Sequence, residues 1–255
     1  MHLIRNFRLI LNLKKIPYKT VWLTYESITP TLQSLGFEPT YVGQDGSPRY
    51  TCPAIQDPNY SEDSPIQLVD SLAIARYLDI NYPSSLPLFP INPSEEVEER
   101  INIIDSTVTD LLDPLVMPLT PSILSEPAAS YYTSSKPDCF DKPWDQVSPA
   151  QSPEREAQWK LVENGLDQLA TMFDQANASN SENVLYGRSI SQPSFVDVFL
   201  AGYFLWTEQM PTARDGPSDK CVFDVIKHTR SGDRWERFLR AFDDFRSVDH
   251  ESSRE

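Results

Sequence analysis

The spacing of apolar residues along the chain changes character near residue 93. At the start, Leu9, Ile10, Leu13 and Ile16 recur at helical intervals with Arg8, Lys14 and Lys15 between them. That spacing predicts an opening helix over 5–16, ended by Pro17, and a strand over 18–24 after it. Thr29-Pro30 opens a short helical turn through Leu35 that Gly36 closes. Asp45-Gly46 marks a turn, Arg49 to Ile55 reads as a strand, Pro58 to Pro65 as a polar loop and Ile66 to Val69 as a brief strand, with a helix over 71–80 directly behind it. Pro87–Pro90 and Asn92-Pro93 form a stiff boundary. Beyond it the periodicity is helical: over 94–112, with Ser94 as cap and Glu95, Glu96, Glu98 and Glu99 where the helix dipole favours anions; over 153–175, with Trp159, Val162, Leu166, Leu169 and Phe173 on one face; over 194–206, apolar nearly all round; and over 234–245. Residues 113–153, rich in proline and serine, read as a broken helix followed by a long surface loop, and 177–183 as a polar turn. The pattern predicts an α+β chain, with a mixed domain over 1–90 and an all-helical domain over 94–255.

Composition narrows the function classes. The 255 residues carry a formal charge of −15 with a sequence pI near 4.6. An acidic surface repels phosphate backbones and anionic lipid, which argues against nucleic-acid and membrane partners. Apolar residues, 40% of the chain, suffice for real cores but never run long enough to span a bilayer. The N-terminal segment lacks a small-residue cleavage site and is interrupted by Asn12, Lys14 and Lys15, so it does not read as a secretory leader. Cys52, Cys139 and Cys221 are too far apart for a zinc site or a disulfide framework, which suits a reduced, cytoplasmic setting and no bound metal. His2, His228 and His250 are equally scattered.

Three local signatures carry candidate chemistry. In Tyr50-Thr-Cys-Pro53-Ala-Ile55 a proline interrupts an apolar strand. It belongs at an edge or bulge, where the extended residue Cys52 could offer its backbone N–H and C=O to a peptide ligand, or where Pro53 simply blocks edge pairing. In Val69-Asp70-Ser71, a strand ends and a helix begins. The amide-rich helix mouth and the Ser71 hydroxyl suit a carboxylate and Asp70 suits an ammonium, although an ordinary N-cap reads the same way. In Ser194-Phe-Val-Asp197, the spacing fits a capping box, a structural device that starts a buried helix.

Taken together and in this order, these signatures resemble the glutathione transferase superfamily, closest to its fungal and bacterial etherase-like members. The phrases that carry the likeness are Arg8-Leu-Ile-Leu-Asn12, Ile16-Pro-Tyr-Lys-Thr20, Gly46-Ser-Pro-Arg-Tyr-Thr-Cys-Pro53, Ser71-Leu-Ala-Ile-Ala-Arg-Tyr-Leu78 and Leu88-Phe-Pro90. The resemblance implies a thioredoxin-like N-terminal domain followed by the helical one. It implies glutathione as co-substrate, with Pro53 as a cis-proline, Cys52 pairing with the cysteinyl part, and Asp70 and Ser71 holding the γ-glutamyl end. Arg49 or Lys14 would either assist the glycyl carboxylate or stand as solvated surface charge. Ile104, Val108 and Leu112 would either wall the pocket for a small hydrophobic electrophile or belong to the core. A homodimer is implied as well.

The same resemblance sets the family's first strand and its sulfur-activating Ser, Cys or Tyr ahead of residue 1, with the catalytic hydroxyl near Met1, so no catalytic residue is assigned within the chain and the sheet is expected to be incomplete. Weak glutathione affinity follows as the expectation. The resemblance leaves open a working transferase in detoxification or secondary metabolism, and a catalytically degenerate module used in protein interaction or regulation.

Overall fold

A computed structural model describes residues 2–43, 45–58, 65–83, 86–89, 94–135, 139–176, 193–210, 221–227, 233–246 and 253–254, with the side chains of 2–6, 94–96, 176 and 253–254 left aside. The expected turn over 177–183, the Pro90 and Asn92-Pro93 steps, and the Ser94 cap side chain lie outside what is described.

The opening helix α1 runs His2–Leu13, three residues shorter at its end than the periodicity predicts. The chain turns at Lys15, whose φ is +54°, and the amides of Lys15 and Ile16 bond the carbonyls of Asn12 and Leu11. That is a Schellman closure built on lysine in place of glycine. The short helix α2 (Ile28–Ser34) closes in the same way on Gly36, at φ +78°, as the sequence predicts.

The strands are short. Of the expected strand over 18–24, only β1 (Val21–Trp22) is paired, in parallel, with β6 (Ser253–Arg254). The expected strand over 49–55 divides in two: β3 (Pro48–Arg49) turns back on β2 (Tyr41–Val42), and β4 (Ala54–Asp57) pairs antiparallel with β5 (Ile66–Val69). The division falls at the Cys52-Pro53 peptide, which is cis. Among the described residues the mixed half therefore holds three separate two-stranded ladders, an incomplete sheet as expected. Helix α3 (Ser71–Asn81) follows β5 directly.

In the helical half, α4 (Ser94–Ile104) continues through a π-helical segment, Asp105–Thr109, into α5 (Asp110–Val116). The expected surface loop over 113–153 is instead largely helical: a 3-10 segment over Met117–Ile123, α6 (Ala128–Ser134) and a single 3-10 turn at Trp144–Gln146. Pro118 and Pro127 sit at helix starts, where a missing N–H costs nothing, while Pro114 and Pro121 lie inside α5 and the 3-10 segment. The long α7 (Pro153–Ala176) packs on the π segment and α5, while α8 (Phe195–Thr207), α9 (Val222–Lys227) and α10 (Arg234–Arg240) complete the half.

Helix α8 is the axis of the molecule. Every residue from Phe195 to Thr207 except Phe199 is buried, and α1 packs along it, so one apolar core runs through both halves. The capping box forms as predicted. The Asp197 amide bonds Ser194 Oγ at 3.3 Å, and Asp197 Oδ2 accepts from the Ser194 amide at 2.8 Å. Loss of such a cap typically costs about 1 kcal/mol.

One carboxylate ties the two halves together. Asp79 accepts the Lys14 ammonium at 2.7 Å and the amides of Leu88 and Phe89 at 2.8 and 3.1 Å. The Leu88 carbonyl in turn accepts the Phe195 amide at 2.8 Å, the first turn of α8. The end of α1, α3, the connection after it and α8 thus share one polar knot.

A second buried polar contact sets a pH dependence. The Tyr203 hydroxyl of α8 lies 2.5 Å from Asp113 Oδ1 and 3.1 Å from the carbonyl of Thr109, the last residue of the π segment. Burial pushes the Asp113 carboxyl up to about 6, the Tyr203 hydrogen bond opposes this, and Asp110 and Asp105 add to it. A carboxyl raised from about 3.9 stabilises the fold while protonated and loses that contribution as pH climbs from about 4 to 6, by at most roughly 3 kcal/mol. Asp113→Asn keeps an acceptor for Tyr203 without the charge. Urea unfolding should find it more stable than the parent at pH 7.5 and nearly equal at pH 4.5; a variant weaker at pH 7.5 contradicts the account.

Candidate glutathione site

The two signatures of the mixed half meet through strand register. Ala54 of β4 stands opposite Val69 of β5. The next residues outward, Cys52-Pro53 on one strand and Asp70-Ser71 on the other, therefore leave the ladder side by side. Asp70 takes φ +75°, ψ 126°, an unusual conformation for a residue with a side chain. This turn aims the chain from strand into helix and lets Asp70 Oδ1 accept the amides of Leu72 and Ala73 at 3.0 and 2.9 Å. Asp70 is thus the N-cap and Ser71 the first helical residue. With Leu72 and Ala73 satisfied, the Ser71 amide and hydroxyl stand at the mouth of α3, where the helix dipole adds positive potential. Asp70 itself is exposed and keeps its carboxylate at the surface.

Pro53 is buried and Cys52 half-buried. Burial pushes the Cys52 thiol up from its ordinary value, so at neutral pH it stays protonated and is a poor nucleophile. What Cys52 can contribute is its extended backbone.

Both residues line a cavity of about 520 Å³ that runs between β1 and β4 under α1 and α2. Its walls are mostly apolar, from Phe7, Leu11, Leu32, Phe37, Ile55 and Leu78. Some polar groups lining it are engaged: Arg8 Nε donates to the Tyr18 hydroxyl at 3.3 Å, and Asp57 accepts from Tyr77 and Tyr82 at 2.8 and 2.6 Å.

The remaining expectations fare differently. Lys14 does not reach this site: its side chain is only 1% exposed and its ammonium is held by Asp79. The helical spacing puts Lys14 on the buried side of the end of α1, which sequence alone reads as a surface charge. Arg49 is exposed on β3 and bonds Asp45 at 2.9 Å across the β2–β3 turn. Ile104, Val108 and Leu112 are fully buried and belong to the core, so they wall no pocket.

Comparison with known sequences decides the family. The profile of the glutathione S-transferase N-terminal domain matches residues 5–80, and that of the glutathione S-transferase C-terminal domain matches residues 101–245. The chain belongs to the glutathione S-transferase family. A glutathione S-transferase-like protein, ustS, from Aspergillus flavus is 27% identical over 212 residues, covering 79% of this chain and 72% of the relative. Among solved structures, the glutathione S-transferase CsGST63524 of Ceriporiopsis subvermispora, in complex with glutathione, superposes with a TM-score of 0.82 at 25% identity, covering 96% of this chain and 91% of the other. The glutathione transferase GSTFuA2 of Phanerochaete chrysosporium gives a TM-score of 0.82 at 24% identity over 98% of this chain and 92% of that one, a likeness of fold. As a glutathione S-transferase, the chain has the short-stranded, thioredoxin-like N-terminal domain and the helical C-terminal domain of its family.

Sequence reasoning missed the cavity and the Asp113–Tyr203 contact. The first arises from strands that do not meet. The second joins residues ninety positions apart, and only an acidic residue in an apolar helix hinted at it.

Proposed function

We propose that the chain binds glutathione in an extended form at the outer end of the β4–β5 ladder and transfers it to a small hydrophobic electrophile. The single observation carrying this reading is the register that sets Cys52-Pro53 beside Asp70-Ser71. A γ-glutamyl head group carries a carboxylate and an ammonium on one carbon. The Ser71 amide and hydroxyl suit the first, and the Asp70 carboxylate suits the second. The extended backbone at Cys52 suits the cysteinyl amide, as in adding one residue of strand. Arg49 stands as the candidate for the glycyl carboxylate.

A thiol of this kind ionises near 8.5 when unperturbed, by analogy with cysteine. A nearby hydroxyl donor and the positive end of a helix lower that value and increase the nucleophilic fraction. The thiolate then forms a carbon–sulfur bond as the leaving group departs with the bond's electron pair. We assign no side chain of this chain to sulfur activation. A homodimeric cytoplasmic enzyme of detoxification or secondary metabolism is the setting this reading suits.

The three separate ladders favour a second reading, a glutathione-transferase-like module whose role is protein interaction or regulation. Turnover separates the two. Conjugation of glutathione to chlorodinitrobenzene, dependent on both reactants and on protein concentration, supports the transferase; no turnover above the uncatalysed rate supports the module.

A further inference from the structure

We infer that the open edge of β4 binds an extended, apolar segment of a second polypeptide as a further strand, seated in the cavity between β1 and β4. Strand β4 bonds β5 along one edge. Its other edge, at Ala54, Ile55 and Gln56, borders the cavity and takes no strand among the described residues. Strand β1 lies across the cavity but pairs with Ser253 and Arg254, not with β4. In an antiparallel ladder only alternate residues turn their N–H and C=O toward the partner, so the others on β4 turn theirs to the cavity side. Groups set out in this way recruit another strand. Edges that face water are normally guarded by charge, lysine above all, or by proline within the strand. Ala54, Ile55 and Gln56 carry no charge, and Pro53 precedes β4 without interrupting it. The edge is therefore suited to being covered.

Size and lining select the occupant. A strand residue takes about 3.3 Å along the chain, about 4.8 Å between strands and about 10 Å between packed layers. The cavity of about 520 Å³ then holds about three such residues, the length of the open edge. Its walls, from Phe7, Leu11, Leu32, Phe37 and Ile55, suit apolar and β-branched side chains and disfavour charged ones. A small molecule with one polar group meets one backbone partner; a polypeptide repeats donors and acceptors at the spacing of the edge. The inference uses β4 beyond Pro53 and does not depend on glutathione binding.

Hydrogen exchange read by mass spectrometry over residues 54–57 of the full chain tests it. The probe is a capped five-residue peptide of alternating valine and threonine at millimolar concentration. Strand addition predicts that the cavity-facing amides of β4 exchange roughly tenfold more slowly or better with the peptide present, with α8 amides unchanged. The same peptide N-methylated at every amide has no donors and should give no slowing. Thr31, half-buried on α2, also lines the cavity, so Thr31→Trp should fill the space and abolish the effect of the unmodified peptide. Should that variant fail to fold, the N-methylated peptide on the parent decides. Three results overturn the inference: no slowing with the unmodified peptide, equal slowing with the N-methylated one, or amides of Ala54, Ile55 and Gln56 that are all protected before any peptide is added.

Discussion

Asp79→Ala is expected to destabilise the protein by about 3–5 kcal/mol, the range for leaving one member of a buried ion pair without its partner. The Lys14 side chain is 1% exposed, and without Asp79 its ammonium keeps, among the described residues, only the Leu86 carbonyl, at 3.2 Å. The Leu88 and Phe89 amides lose their acceptor in the same step. Against a typical total of about 5–15 kcal/mol, a loss of this size threatens folding outright. The charge and amide contributions can be separated. Lys14→Met removes the stranded cation, so Lys14→Met/Asp79→Ala should recover part of the loss and leave roughly 1–3 kcal/mol for the amides. Urea titration of the four proteins gives the coupling directly. Strict additivity contradicts the knot as described.

Gly165→Ala is the second large effect, through sterics alone. A Cβ at Gly165 of α7 would stand 1.9 Å from the Thr107 carbonyl oxygen and 3.2 Å from Leu111 Cδ1. The oxygen belongs to the π-helical segment and cannot rotate away as a side-chain atom would. Relief requires α7 to withdraw from the joint between α4 and α5, opening packing around Val108, Leu112 and Val162, all fully buried. Overpacking commonly costs about 1–3 kcal/mol; a clash with backbone puts this substitution at or above about 3 kcal/mol. Gly36→Ala provides the contrast. No atom lies within 4 Å of its would-be Cβ, and only its φ of +78° resists a side chain, for a cost of about 1 kcal/mol. Thermal unfolding should rank Gly165→Ala far below Gly36→Ala. Equal midpoints contradict the close approach.

What could be read from the sequence followed from local rules. The capping box at Ser194 and Asp197 involves four consecutive residues and forms as its spacing predicts. Gly36 closes α2 for the same reason. The strand–helix step at Asp70-Ser71 needed only a period change from two to 3.6. The interrupted strand at Pro53 was legible as an irregularity, but its division into β3 and β4 was not, because β3 is claimed by β2 across a turn. The helical character of 117–134 was hidden by prolines, which suppress the helical signal although Pro118 and Pro127 fit helix starts and Pro121 is carried inside a 3-10 segment. Lys14 was misplaced because no periodicity separates a solvated lysine at a helix end from one that finds a carboxylate 65 residues later. The incomplete sheet was foreseen from the family resemblance; the cavity between its strands and the parallel pairing of Ser253–Arg254 were not, since both depend on contacts across the whole chain.

The central claim is that Asp70 and Ser71, set beside Cys52-Pro53 by the β4–β5 ladder, hold the γ-glutamyl end of glutathione. Asparagine caps a helix about as well as aspartate, so Asp70→Asn alters the charge at this position and little else. Calorimetric titration of glutathione into both proteins is the direct measurement. The account predicts measurable binding to the parent and at least tenfold weaker binding to Asp70→Asn, with unfolding midpoints alike. Equal affinities in the two proteins would contradict it.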